Sequence, residues 1–314
     1  MRRSLALALF FFLAAFTARA ARPHGAWHLT TRDDGRMQIQ LVSDHNQNGH
    51  SIERSAFTGL TAAQIVASSD TPVDFRMIRE AGTVHFTGTF LRGDGVGRFT
   101  FEPNPSYAAT LRSLGVAAGN LDDETLYGLA VHDVSSNFIR EMQSLGYKED
   151  LDQYHAFRIQ GITPQFVRDL NALGYRPDGD NLLSFRIHGA TPSFIRDIRA
   201  LGYQPDADDL LAFRIHGVNA EFIKGMKELG VRDLQSDNLV ALRIHGASVG
   251  YVRELRDLGY PNLSADDLVS MRIHGVTAKY IRDLRSAGYA NIPVEKLVEM
   301  KIHGIDSEWV KRTK

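Results

Sequence analysis

The chain has 314 residues, with 43% hydrophobic and 23% charged content, which is the composition of a globular protein large enough for two or three cores. It contains no cysteine, which excludes a disulfide framework, a thiolate metal site, a cysteine nucleophile and a lipid-modified N-terminus. Thirty-six basic residues stand against 37 acidic ones, so the chain lacks the basic excess that nucleic acid or an anionic membrane surface selects.

The first twenty residues read as a secretory signal. Arg2 and Arg3 precede an uncharged run from Leu5 to Phe16, and Ala18-Arg19-Ala20 supplies small residues at the spacing of a cleavage site. The apolar run is about a dozen residues, against the ~20 that cross a bilayer, so cleavage after Ala20 is expected rather than retention as an anchor. Taking away the three arginines of that segment leaves 33 basic residues against 37 acidic, a net charge of about −4. The expected location is periplasmic or secreted.

Residues 21–104 show the two-residue alternation of strands, at Trp27–Thr31, Met37–Val42, Ser51–Phe57, Asp74–Arg79, Thr83–Leu91 and Gly97–Phe101. Turn signals separate several of them: Asp33-Asp34-Gly35, Asn46-Gln47-Asn48-Gly49, Ala81-Gly82 and Gly93-Asp94-Gly95. The expectation is a small antiparallel β domain, with a short helix near Thr61–Val66 and a boundary at Asn104-Pro105.

From residue 105 to 314 the chain repeats itself. Arg-Ile-His-Gly recurs with its histidine at His188, His216, His245 and His274, Lys-Ile-His-Gly gives His303, and Gln160 and His132 hold the same slot upstream. The intervals are 28, 28, 28, 29, 29 and 29 residues. A Gly-Tyr pair keeps the same beat, with Gly230-Val231 as the exception. Each unit reads as two short helices. In the unit from Ser264 to Tyr289, Ser264 caps a helix with Asp266 and Asp267 in its first turn, and Gly275 ends it in the left-handed region. Thr277 caps the second helix, which carries Tyr280, Ile281 and Leu284 at helical spacing and stops at Gly288. The apolar residue after each first-helix glycine is placed to staple the next helix, and the residue after each second-helix glycine to close a Schellman turn. One such hairpin cannot bury its apolar face and a stack can. The fold class is therefore α+β, a small antiparallel β-sheet domain followed by an α-solenoid of about seven helix-turn-helix units.

Candidate chemistry lies in columns of equivalent residues. The histidines invite a metal, but zinc ligands sit ~2.0–2.1 Å from the ion, whereas stacked repeats set equivalent residues ~9 Å apart. Capping of free carbonyls at the helix ends is the simpler role. Arg158, Arg186, Arg214, Arg243, Arg272 and Lys301 form a basic column with two readings: a ladder of pairs with second-helix acids, or a ligand-facing stripe. The aromatic column Phe138, Phe166, Phe194, Phe222, Tyr251, Tyr280 and Trp309 reads as core, with Tyr251, Tyr280 and Trp309 reaching the surface where amphipathic rings serve interfaces. Asp44-x-Asn46-x-Asn48-Gly49 matches half of a calcium loop, but the twelfth position is Ser55 and a hairpin turn explains the same residues. Gly93-x-Gly95-x-Gly97 lies between two strands and lacks the setting of a phosphate loop. No nucleophile, base and orienting group can be assembled from spacing, so no catalytic residue and no cofactor is expected.

The stretches Arg272-Ile273-His274-Gly275 and Val276-Thr277-Ala278-Lys279-Tyr280-Ile281-Arg282-Asp283-Leu284 resemble a repeat of uncharacterised bacterial exported proteins. Similar repeats are fused to membrane metallopeptidases of the beta-lactam-sensor type. The segment Trp27 to Pro103, especially Phe99-Thr100-Phe101-Glu102-Pro103-Asn104, is similar to what precedes such repeats. The resemblance implies sensing or partner recognition outside the cytoplasm and carries no functional residues with it. This chain has neither the zinc motif nor the membrane helices of the fused forms. The functional expectation is a non-catalytic interaction module whose partner is a protein or peptide, without nucleic acid and with cell-envelope association. A structural or polysaccharide-binding role in the envelope, and a hydrolase within the β domain, are the alternatives.

Overall fold

The computed structural model describes residues 22–32, 35–43, 47–119, 121–306 and 308–309. The signal-like segment, the first two residues of the Asp33-Asp34-Gly35 turn, residues 44–46 of the calcium-like loop and the basic tail 311–314 lie outside them. Contacts divide the chain into two compact units, 1–136 and 137–314.

The first unit is built on six antiparallel strands: β1 (His24–Thr31), β2 (Met37–Ser43), β3 (Gln47–Ile52), β4 (Thr71–Arg79), β5 (Gly82–Leu91) and β6 (Asp94–Pro103). Their order in the sheet is β3-β2-β1-β6-β5-β4. Alternation buries one face, and the register lines Phe75, Phe86 and Phe99 across three strands. Phe75 stacks on Phe86 at 4.7 Å, and Trp27 meets both rings edge-on. The indole fits because Gly88 and Gly97 oppose each other beneath it. A Cβ on Gly97 would lie 2.7 Å from Trp27 Nε1, and that nitrogen donates to the Thr87 carbonyl at 3.1 Å. The third strand, expected at Ser51–Phe57, runs over Gln47–Ile52, so Gln47, Asn48 and Gly49, read as a turn, pair with β2. Arg54–Ala56 turn as a 3₁₀ helix, which sends Phe57 into the aromatic cluster. Helix α1 (Ala62–Ile65) starts in a capping box between Thr61 and Gln64. Two further helices, α2 (Tyr107–Ser113) and α3 (Asp123–Val131), belong to the same unit, with Tyr127 of α3 stacked on Phe99 at 5.5 Å.

The second unit is a run of short helices. Those that open a repeat are α5 (Leu151–Ile159), α7 (Gly179–His188), α9 (Ala207–His216), α11 (Ser236–Ile244), α13 (Ala265–Ile273) and α15 (Val294–Ile302). Those that close one are α4 (Ser136–Ser144), α6 (Pro164–Ala172), α8 (Pro192–Ala200), α10 (Ala220–Glu228), α12 (Val249–Asp257) and α14 (Ala278–Ser286). The opening helices pack on one another in sequence, α5 to α15.

The turns between them are alike down to single hydrogen bonds. In all six repeats the amide after the glycine donates back to the carbonyl five residues earlier, from Ile162 to Phe157 at 2.8 Å through Ile305 to Met300 at 2.8 Å. The glycines that allow this have φ between 65° and 75°. Upstream, Asp133 holds the same left-handed position at φ 54° and pairs with Arg79 at 3.3 Å. Side-chain caps sit where the spacing predicts them, with Thr163, Thr191, Asn219, Ser248 and Thr277 all accepting from the third helical amide. Both members of the predicted staple pairs, from Ile162 and Val167 to Val276 and Ile281, are buried.

Candidate interaction surface

The basic column is engaged within the array. Arg186, Arg214, Arg243 and Arg272 each donate from Nε to the carbonyl that ends the preceding opening helix, those of Gln160, His188, His216 and His245, at 2.9, 3.0, 3.3 and 3.2 Å. Each guanidinium also lies over the aromatic ring of the preceding closing helix: Arg158 over Phe138, Arg186 over Phe166, Arg214 over Phe194, Arg243 over Phe222 and Arg272 over Tyr251, with centroid distances of 4.9 to 5.6 Å. Lys301 repeats the contact over Tyr280 at 4.7 Å. The partners are carbonyls and rings where the sequence suggested carboxylates. A helix end presents unsatisfied carbonyls and a negative dipole end, and a cation from the next repeat answers both.

The closing helices carry the same device, which the sequence reading overlooked. Lys227 donates to the Leu201 carbonyl at 2.8 Å and lies over Tyr203, Arg285 donates to the Leu258 carbonyl, and Arg199 lies over Tyr175 at 5.0 Å. Ion pairs along these helices include Arg168–Glu141 at 2.5 Å and Arg282–Glu254 at 3.7 Å, both between neighbouring repeats. The hydrogen bond from Arg168 holds the Glu141 carboxyl below its usual range.

In the aromatic column Phe138, Phe166, Phe194, Phe222 and Tyr280 are buried, Tyr251 is half-buried and Trp309 is exposed. Tyr251 and Tyr280 donate their hydroxyls to the carbonyls of Val276 and Ile305 at 2.7 and 2.6 Å. Burial pushes the Tyr251 phenol up to about 12, against a smaller opposing pull from Arg272, so it remains a donor across the neutral range. The five histidines of the repeated tetrapeptide are exposed, and in three of them, His188, His216 and His245, it is the carbonyl that accepts the bond from the next repeat's arginine. Among those residues no three His, Asp or Glu side chains are grouped to hold a metal ion.

A different column emerges from the burial pattern. Ile159, Ile187, Ile215, Ile244, Ile273 and Ile302 are 50 to 59% exposed in six successive repeats. An exposed position without a task drifts, and the array contains such a control: the exposed residue two before each closing-helix aromatic's successor is Asn137, Gln165, Ser193, Glu221, Gly250 and Lys279, six different types. Isoleucine at the solvent face holds in all six. It caps nothing, since the closing contact of each turn uses the residue two positions before it, Met271 in the case of Ile273. Two helical turns earlier on the same face stands an exposed acid in every repeat: Asp152, Asp180, Asp208, Asp237, Asp266 and Glu295. Between acid and isoleucine lie half-buried residues such as Leu183, Leu211, Val240 and Val269.

No family model, curated protein or solved structure matches the chain.

The site thus rests on geometry alone. Besides the isoleucine column, the array holds a cleft of about 550 Å³ lined by Lys224, Gly225, Arg243, Ser248, Val249 and Arg253 among others. Gly225 is required there by packing, because a Cβ would lie 2.8 Å from Val249. Lys224 is paired with Glu228 at 3.9 Å.

Proposed function

We propose that this chain is a non-catalytic interaction module, periplasmic or secreted, whose repeats hold a protein or peptide along the face carrying the isoleucine column. The observation that carries the reading is that column: an apolar side chain kept in solvent six times over, beside a column of exposed acids, while exposed positions such as Asn137, Gln165, Ser193, Glu221, Gly250 and Lys279 vary. Contiguous exposed apolar surface marks interaction sites, and a repeat array offers it at a fixed interval. The basic and aromatic columns support the same reading from beneath, by fixing each repeat on its neighbour so that the face is preorganised. Kinship with exported repeat proteins, including those fused to sensor peptidases, belongs to this proposal. So does export through the N-terminal segment.

The test is in-cell crosslinking of a tagged chain, compared with the triple variant Ile187→Asp, Ile215→Asp, Ile244→Asp. Capture of one abundant envelope protein, lost in the variant, is the expected result. Capture that ignores the variant removes the face from consideration. Recovery of wall polysaccharide alone replaces the reading with an envelope-binding role.

A further inference from the structure

The face has a period and a polarity, and together they specify an occupant. Resting on the reading above, we infer that the partner segment is an extended polyproline-II-like stretch of polypeptide, with an apolar and a basic residue in every three.

The period comes from the stack. Successive opening helices are in contact, and packed helices stand about 8–10 Å apart, so successive isoleucines repeat within about that range. Polyproline II advances about 9.3 Å in three residues and returns the same side to the surface after each turn of three. A β-strand shows one side every two residues, about 6.8 Å, which is out of step at once. A helix repeats its face every seven residues, about 10.5 Å, which lies outside the interval of about 8–10 Å between packed helices. Of these three conformations, polyproline II is the one whose repeat falls within that range.

The polarity comes from the acids. Asp180 and Ile187 are seven residues apart in one helix, so they share a face about 10.5 Å from each other, and the same offset recurs from Asp152 and Ile159 to Glu295 and Ile302. These acids also suit the helix N-termini, but none of the six is in an ion pair among the described residues. The cations of the opening helices are held over rings and carbonyls. Asp180 accepts from Gln153 Nε2 at 3.2 Å, a neutral partner that leaves its charge in place. A column of acids outside ion pairs beside a column of apolar side chains calls for lysine or arginine beside an apolar residue in the partner. The backbone of such a segment is already extended, which lowers the ordering cost of binding.

The experiment measures anisotropy of a labelled eighteen-residue peptide, (Pro-Leu-Lys)₆, with the purified chain. Two controls accompany it: the same composition with the three-residue period broken, and (Pro-Leu-Glu)₆. We expect the periodic basic peptide to bind at least tenfold tighter than either control. Binding is expected to vanish in the Ile187→Asp, Ile215→Asp, Ile244→Asp triple variant. The triple variant Asp180→Asn, Asp208→Asn, Asp237→Asn should weaken it about tenfold and flatten its salt dependence, with circular dichroism showing both variants folded. Equal affinity for the broken-period peptide overturns the extended period-three partner. Self-association of the chain that the isoleucine variant dissolves overturns it too, in favour of a second copy on this face. If the peptides do not bind while in-cell capture stays isoleucine-dependent, the partner chemistry is wrong and the face stands. If the isoleucine variant changes neither peptide binding, self-association nor capture, the face falls as well.

Discussion

In the sheet, Phe86 is held by rings from distant stretches of chain: Trp27 of β1, Phe57 before α1, Phe75 of β4 and Phe99 of β6. In the repeats, Arg214 reaches back 26 residues to His188 and no further, and Arg243 and Arg272 reach back 27. The sheet is one cooperative cluster whose members must arrive together. The array is the same short-range contact made again and again, with stability close to a sum over neighbours. Each kind of construction leaves a different surface. The sheet's outer face is a varied mixture, including His28, Thr87, Arg98 and Glu102, whereas the array offers one motif at a constant interval.

The sharpest test of that contrast is a matched pair of core truncations. Phe86→Ala should cost about 3–5 kcal/mol and Leu210→Ala about 2–5 kcal/mol, both being fully buried. Amide exchange should separate them: the first opens all six strands together, the second opens α7, α9 and α11 and leaves α15 protected. Uniform loss of protection after Leu210→Ala would break the comparison. Next in size is the staple. Arg214→Met removes a carbonyl cap and a ring contact at 4.9 Å, for about 1–2 kcal/mol, with faster exchange at the end of α7. Arg214→Lys should recover part of this, since an ammonium keeps the charge but not the planar stack. An unaltered melting curve for Arg214→Met would mean the column is not structural.

The smallest effect concerns Glu149. Desolvation, and then the neighbouring Asp150, Asp180 and Asp178, raise its carboxyl above the usual value. A folded-state value above the unfolded one means the charged form costs stability at higher pH, and that cost is absent below the ordinary carboxylate range. Glu149→Gln should therefore melt slightly higher than the parent at pH 7, the gap closing as pH falls through the range between the ordinary and the raised value. A gap that widens on acidification would reverse the assignment.

Much of this was legible without coordinates because a repeat compares the chain with itself. The glycines, caps and staples recur in register, and each is a local device read from adjacent residues, so the turns came out as expected. Helical phase also held a signal that went unread. Ile273 lies two residues beyond buried Met271, which puts it about 200° round the helix and away from the core. An apolar type at that phase in six repeats was visible as soon as the angle was counted. The carbonyl and ring partners of the arginines were not visible, because nothing in a basic column says which neighbour it meets.

The sequence by itself determined the α+β class, the 28- and 29-residue period, the two helices of each unit and the strands, except that β3 lies at Gln47–Ile52, displaced onto residues read as a turn and stopped before the 3₁₀ turn at Arg54. These follow from alternation, capping and glycine, which act over a few residues. Tertiary structure decided that α3 stacks Tyr127 on Phe99, that cations cap the previous repeat, and that the isoleucines face solvent. Those outcomes depend on which surfaces meet, and residues close in space but 26 or more apart in sequence leave no local pattern to announce the meeting.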